Sequence, residues 1–213
     1  MPKGFNEKEK QEIKQALVEK GKILFSMYGL KKTSVEDITK AVGIAQGSFY
    51  SFYGSKEELY FTIIESEENL LREQLVTEMD KRPENPKEAI KMLLLRSFEL
   101  IEKSPIIKRL YAENEMETLI RKLPENVIRA HLNKDSSAIA SVLQKWQDAG
   151  LLQDWNPEVL MGVFRALFFM TLHKNEIGES VFDEALLFLI DATAKKLVEK
   201  NDMRKRGPYE THY

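Results

Sequence analysis

Gln46, Gly47, Ser48, Tyr50 and Ser51 fall within six consecutive positions and bring together an amide, two hydroxyls, a phenol and a residue without a side chain. A helix over 46–53 would put Phe49 and Tyr53 on one face at i, i+4 and leave that polar set for the others. Small residues let a backbone approach a major groove closely, and short hydrogen-bonding side chains can then reach base edges or phosphates. On this chemistry Gln46, Gly47, Ser48 and Ser51 are expected to face bases of double-stranded DNA, Gln46 pairing bidentately with adenine, while Thr33, Tyr50 and Lys56 hold phosphates. The plain alternative is a short surface helix whose Gly and Ser fill a tight packing corner. The neighbours favour DNA. Thr33 or Ser34 can cap a helix, with Glu36 three residues after Thr33 completing a capping box, and Ser55 with Glu58 forms a second one. Each helix start offers backbone N–H groups to an anion, and the second adds the Lys56 ammonium.

Other chemistries have little to work with. The chain has no Cys, so disulfides, thiolate nucleophiles and Cys-held metals are excluded. His131, His173 and His212 are far apart in sequence, and Asp135 and Glu176, the nearest carboxylates at helical spacing, give at most one partner each. There is no Gly-rich phosphate loop and no GxSxG. No catalytic residue, metal site or cofactor is therefore expected, and the chain reads as a non-enzyme.

The elements that must position the polar set are helical. Glu7 to Tyr28 carries Ile13, Leu17, Leu24 and Tyr28 on one stripe and ends at Gly29, a left-handed cap candidate. Val35, Ile38, Thr39 and Val42 form the buried face of a two-turn helix that Gly43 terminates. A long helix from Ser55 to about Asp80 follows, closed by Pro83 and Pro86. Proline then opens helices at about Pro86–Lys103, Pro105–Leu123, Pro124–Ala149 and Pro157–Asn175, and a last one spans about Glu179–Asn201. No alternation suited to hairpins occurs, so the expected fold class is all-α. With 213 residues, 43% hydrophobic and 31% charged, the chain can build a substantial core. The net charge of −2 does not advertise nucleic-acid binding, although residues 1–60 hold ten Lys/Arg against eight Asp/Glu. The start MPKGFNEKEK has no apolar signal region and no run of about eighteen apolar residues occurs, so no membrane span and a cytoplasmic location are expected.

The stretch from about Leu17 to Tyr60 resembles the DNA-binding domain of the TetR/AcrR family of bacterial transcriptional regulators. The resemblance is carried by Leu24-Phe25, Gly29, the run Thr33-Ser34-Val35-Glu36-Asp37-Ile38, Val42-Gly43-Ile44, Gly47-Ser48-Phe49-Tyr50 and Ser55-Lys56-Glu57-Glu58-Leu59, at family-like spacing. Two residues depart from it. Ala45 stands where the family commonly has a capping Ser or Thr, and Phe52 where a Tyr or His is frequent. The resemblance implies a three-helix helix-turn-helix domain over 1–54, a helical effector-binding and dimerisation domain over 55–202, and a tail at 203–213, read as flexible, that contains Arg204, Lys205 and Arg206. It further implies a homodimeric repressor on a pseudo-palindromic operator, released by a small effector. The last two helices suit the dimer, because Leu160 to Met170 and Phe182 to Ile190 are apolar round most of their circumference. Met92, Phe98, Tyr111, Met116, Trp146, Phe164 and Phe168 read as ordinary core by their spacing, while the resemblance makes them candidates to line the effector cavity. Polar atoms among the middle helices, from Tyr111, Trp146, Asn114 and Arg165, are few, so an apolar or amphipathic effector is expected. The competing class is a helical enzyme or protein-interaction module that carries a helix-turn-helix.

Overall fold

The computed structural model describes residues 5–79, 84–113 and 115–199. Among them the elements are α1 (Glu7–Lys32), α2 (Val35–Val42), α3 (Gln46–Phe49), α4 (Lys56–Met79), α5 (Pro86–Glu102), α6 (Pro105–Ala112), α7 (Glu115–Lys122), α8 (Glu125–Asp148), α9 (Pro157–Leu172), α10 (Lys174–Ile177) and α11 (Phe182–Val198). The fold is all-α, as expected, and no strand occurs among the described residues. The tail at 203–213, Asn114, His212 and the side chains of His131 and Asp135 lie outside what is described.

Three expected helices are shorter or divided. The helix expected over 46–53 is a single turn, α3, after which the chain continues in tight turns as Ser51, Phe52 and Tyr53 donate N–H to Ser48, Phe49 and Phe49. The stretch expected as Pro105–Leu123 is two helices, α6 and α7, with Glu113 (φ −101, ψ 14) outside helical geometry. Likewise Pro157–Asn175 resolves into α9 and α10, parted at His173 (φ −115, ψ 33). Neither break carries a Pro or Gly, which is why spacing alone ran through them.

Side-chain caps explain several of the starts. Asn6 and Glu9 exchange both bonds of a capping box at α1, and Asn85 and Asn156 accept first-turn N–H groups at α5 and α9 ahead of Pro86 and Pro157. The interior forms two clusters. In the first, Leu17, Phe25 and Leu30 of α1, Ile38 of α2 and Phe49 of α3 pack with Leu59, Tyr60, Ile63 and Ile64 of α4 and with Ile106, Ile107, Leu110 and Leu119 of α6 and α7. Position 54, the expected domain limit, falls inside that continuous cluster, so the helix-turn-helix is seated on α4, α6 and α7 rather than tethered by a linker. In the second, Ile90, Leu93 and Leu94 of α5 meet Leu143 and Trp146 of α8, Leu160 and Leu167 of α9 and Ile190, Ala194 and Leu197 of α11. Lys87 joins α5 to Asp191 of α11 at 2.9 Å, which raises the pKa of the amine and lowers that of the carboxyl through their hydrogen bond.

Candidate nucleic-acid interface

The start of α2 is capped by Ser34, not by Thr33. Ser34 Oγ accepts from Asp37 N–H at 3.1 Å and Asp37 accepts from Ser34 N–H at 3.0 Å, so the acidic partner is Asp37 rather than Glu36. The Ser34 hydroxyl also donates to the Asp37 carboxylate, and this bond, with the one from Ser34 N–H, holds the Asp37 carboxyl below its ordinary pKa. Thr33 is 1% exposed and its hydroxyl donates to Gly29 O at 2.8 Å, so it closes the broken end of α1 and the phosphate role expected of it is withdrawn. α2 ends in left-handed Gly43 (φ 82, ψ 31), whose N–H donates to Thr39 O at 2.9 Å. That cap turns the chain through Ile44 and Ala45 into α3, and Ala45 supplies no side-chain cap.

Buried Ile38, Phe49 and Tyr53 fix α3 from below. Gln46, Gly47, Tyr50 and Ser51 are exposed and Ser48 half-buried, all on the outer side of this packing. Tyr50 is 57% exposed and stands edge-to-face on Phe49, with 5.5 Å between centroids. A Cβ added at Gly47 would meet nothing within 4 Å, and Gly47 is not among the residues with positive φ. Nothing inside the chain requires glycine there. The bare backbone at that tip leaves room for close approach by something outside.

An open cleft of about 400 Å³ runs beside α3, lined by Ser34, Val35, Gln46, Tyr50, Gly54, Ser55, Lys56 and Glu57. Two helix starts border it. At α4, Ser55 Oγ accepts from Glu58 N–H at 3.1 Å, while the Glu58 carboxylate turns back to Gly54 N–H at 2.7 Å instead of to Ser55. First-turn amides of α2 and α4 have no acceptor within their own helices, and those of Val35, Lys56 and Glu57 belong to residues of the cleft wall. The Lys56 ammonium is placed differently from expectation: it donates to Leu30 O and Thr33 O, each at 2.7 Å, and so ties α4 to the end of α1. Lys31 and Lys32, which the spacing did not single out, are exposed at that same end.

Five of the seven candidate effector residues are divided between the two clusters. Tyr111 and Met116 pack on the first cluster, whereas Phe98, Trp146 and Phe164 belong to the second. Phe168 meets Tyr111 edge-to-face at 5.1 Å between the two. Met92 is 61% exposed on α5, so its place in a lining is withdrawn. Outward apolar surface concentrates instead on α9 and α11, where Val159, Phe169, Leu187 and Phe188 are exposed, the last by 73%. Leu186 packs inward on the second cluster.

Residues 17–63 match the model of the bacterial regulatory proteins, tetR family. The nucleoid occlusion factor SlmA of Glaesserella parasuis is 29% identical over 110 residues, which are 52% of either protein. The HTH-type transcriptional repressor KstR2 of Mycobacterium tuberculosis is 34% identical over 86 residues, 40% of this chain and 42% of KstR2. These matches span about half the length of the curated relatives or less. Solved structures extend the likeness in fold. A tetR-family transcriptional regulator from Pectobacterium atrosepticum superposes with a TM-score of 0.66 at 18% identity, covering 92% of this chain and 99% of that one. FadR of Bacillus subtilis in complex with stearoyl-CoA gives 0.61 at 14% identity, covering 87% and 97%. Residues 17–63 are thus similar in sequence to the tetR family of bacterial regulatory proteins, and the described helices share the fold of solved tetR-family regulators.

Proposed function

We propose that the protein is a homodimeric transcriptional repressor that reads a pseudo-palindromic operator through α3 and leaves it when a small, largely apolar or amphipathic effector binds among the C-terminal helices. The observation that carries the DNA reading is Gly47, bare at an exposed helix tip with neither backbone geometry nor packing to require it. In this reading Gln46, Gly47, Ser48 and Ser51 meet base edges. Tyr50 and the first-turn amides at Val35, Lys56 and Glu57 take phosphates along the cleft beside α3. One short reading helix recognises few base pairs, so two copies are needed, with half-site centres about 34–36 Å apart or a multiple of that. The apolar faces of α9 and α11 supply the contact between copies. The stearoyl-CoA bound to FadR is an amphipathic molecule on the same fold, which supports the class of effector proposed.

Mobility shifts on the DNA upstream of the protein's own gene, repeated from about 50 to 200 mM salt, test the first half. Affinity should fall linearly on logarithmic axes as phosphate contacts release counterions. Absence of binding, or binding indifferent to salt, would overturn it. The effector half is tested by screening fatty acyl thioesters and apolar drugs for thermal stabilisation and then for operator release. A stabilising ligand must bind one state better than the other to release DNA, so stabilisers that all leave affinity unchanged would remove the switch.

A further inference from the structure

Glu115 is 7% exposed, at the first position of α7. One of its oxygens accepts from Leu30 N–H of α1 at 2.7 Å, and the other from the Tyr60 hydroxyl of α4. A buried carboxylate is costly unless such bonds hold it, and here the donors come from two elements on either side of the seat of the helix-turn-helix. Tyr60 is fully buried against Phe25, with 4.9 Å between ring centroids. Burial first, and the bond to Glu115 second, push the phenol pKa well above its ordinary value, so Tyr60 stays a donor.

Gly29 is what brings Leu30 to this partner. With φ 78 and ψ 171 it breaks α1, and a Cβ placed on it would lie 2.7 Å from Glu115 Oε1 and 2.8 Å from Arg109 Nη1. Arg109 of α6 also donates to Met27 O at 3.3 Å. The other polar atom of Leu30, its carbonyl, accepts from Lys56 Nζ. Leu30 is therefore gripped on one side by α7 and on the other by the first residue of α4, four residues before the cap that starts α2.

We propose that Glu115 is a positioning residue for DNA recognition: by holding the Leu30 amide it sets the angle at which the helix-turn-helix sits on the C-terminal helices, and hence the separation of the two recognition helices in a dimer. The inference rests on the reading of the protein as a dimeric DNA binder. A contact that only stabilised the fold would lower the folded fraction and weaken every duplex alike. A contact that sets an angle governs which half-site spacing is preferred.

The experiment uses the full chain and a duplex that the wild type selects from random sequence, with a second duplex whose half-sites are moved apart by half a turn, about five base pairs. The wild type should prefer the selected spacing. In Glu115→Ala that preference should fall about tenfold or more while half-site affinity changes little, and the Leu30 amide should exchange with solvent faster than those of Leu17 and Phe25. Glu115→Gln keeps an acceptor oxygen for Leu30 and should recover much of the preference. Tyr60→Phe removes one donor, keeps the ring, and should show a smaller loss of the same kind. These two variants decide the matter if Glu115→Ala does not fold. Unchanged spacing preference in folded variants would overturn the positioning role alone. A wild type that selects no duplex would overturn the DNA-binding reading and this role with it.

Discussion

The N-terminal and C-terminal helices solve opposite problems. In α1 to α3 Leu17, Phe25, Ile38 and Phe49 are fully buried while Ile23, Met27 and Tyr28 of α1 stay exposed, and the outer side of α3 is left to Gln46, Gly47 and the hydroxyls. In α9 and α11 apolar residues exceed what one chain can cover, and Phe188 and Val159 remain 73% and 50% exposed. A surface rich in hydrogen-bonding groups at a bare backbone tip suits a polar, charged partner, whereas contiguous apolar surface calls for a partner of the same kind. The first region turns hydrogen-bonding groups outward at α3, and the second turns apolar ones outward.

The largest expected effect strikes the second region. Phe188→Asp would bury an unpaired charge between copies, at a cost of about 3–5 kcal/mol, and should turn dimers into folded monomers in sedimentation. Phe168→Asp should instead unfold the chain, because Phe168 packs against Tyr111 within the protomer. A Phe188→Asp protein that remained dimeric with wild-type affinity would show that this apolar face does not join the copies.

Next in size is the seat between the regions. Gly29→Ala places a methyl where Glu115 and Arg109 now lie and forces a non-glycine residue to φ 78. A loss of about 2 kcal/mol or more is expected in urea denaturation, well above the usual effect of Gly to Ala. Smaller again is the contrast between Lys56 and Gln46. Lys56→Ala leaves two carbonyls without their charged donor and should cost about 1–2 kcal/mol of stability. Gln46→Ala should leave stability within about 0.5 kcal/mol and remove roughly 1–3 kcal/mol of discrimination at one base position. Equal loss of stability in both variants would mean that α3 is structural like its neighbours.

The two regions also differ in how much of them the sequence exposes to reading. The turn at Gly43, the break at Gly29, the cap at Ser55 and the prolines opening α5, α6 and α9 all act on residues within four positions, so their chemistry is visible in a short window. The same window offers two hydroxyls at 33 and 34, and only the packing of α1 shows that Thr33 turns inward to Gly29 O. The sequence offers Lys56 to a phosphate, because its acceptors, Leu30 O and Thr33 O, lie more than twenty residues earlier. Glu115 gives no signal in a short window, its partner Leu30 being 85 residues away. In α9 and α11 spacing showed too much apolar surface without showing which side the protomer itself would cover. Spacing alone does not tell that Leu186 packs inward while Phe169 and Phe188 face outward.

The smallest effect concerns the cap that opens α2, where the two hydrogen bonds between Ser34 and Asp37 are the leading causes of a carboxyl pKa below its ordinary value of about 3.8. A carboxyl whose pKa is lower in the folded than in the unfolded chain favours folding fully above its unfolded value, and that contribution disappears as pH falls through the lower, folded value. Ser34→Ala removes the hydroxyl that both accepts from Asp37 N–H and donates to its carboxylate. At pH 7 the variant should melt below the wild type, as loss of an N-cap ordinarily requires. The difference between the two proteins should then narrow as pH is taken from about 5 into the range below the ordinary carboxylate pKa, because protonated Asp37 no longer distinguishes them. Melting both proteins at a series of pH values checks this, and a gap that stayed constant or widened in acid would show that Ser34 stabilises α2 without the help of the Asp37 charge.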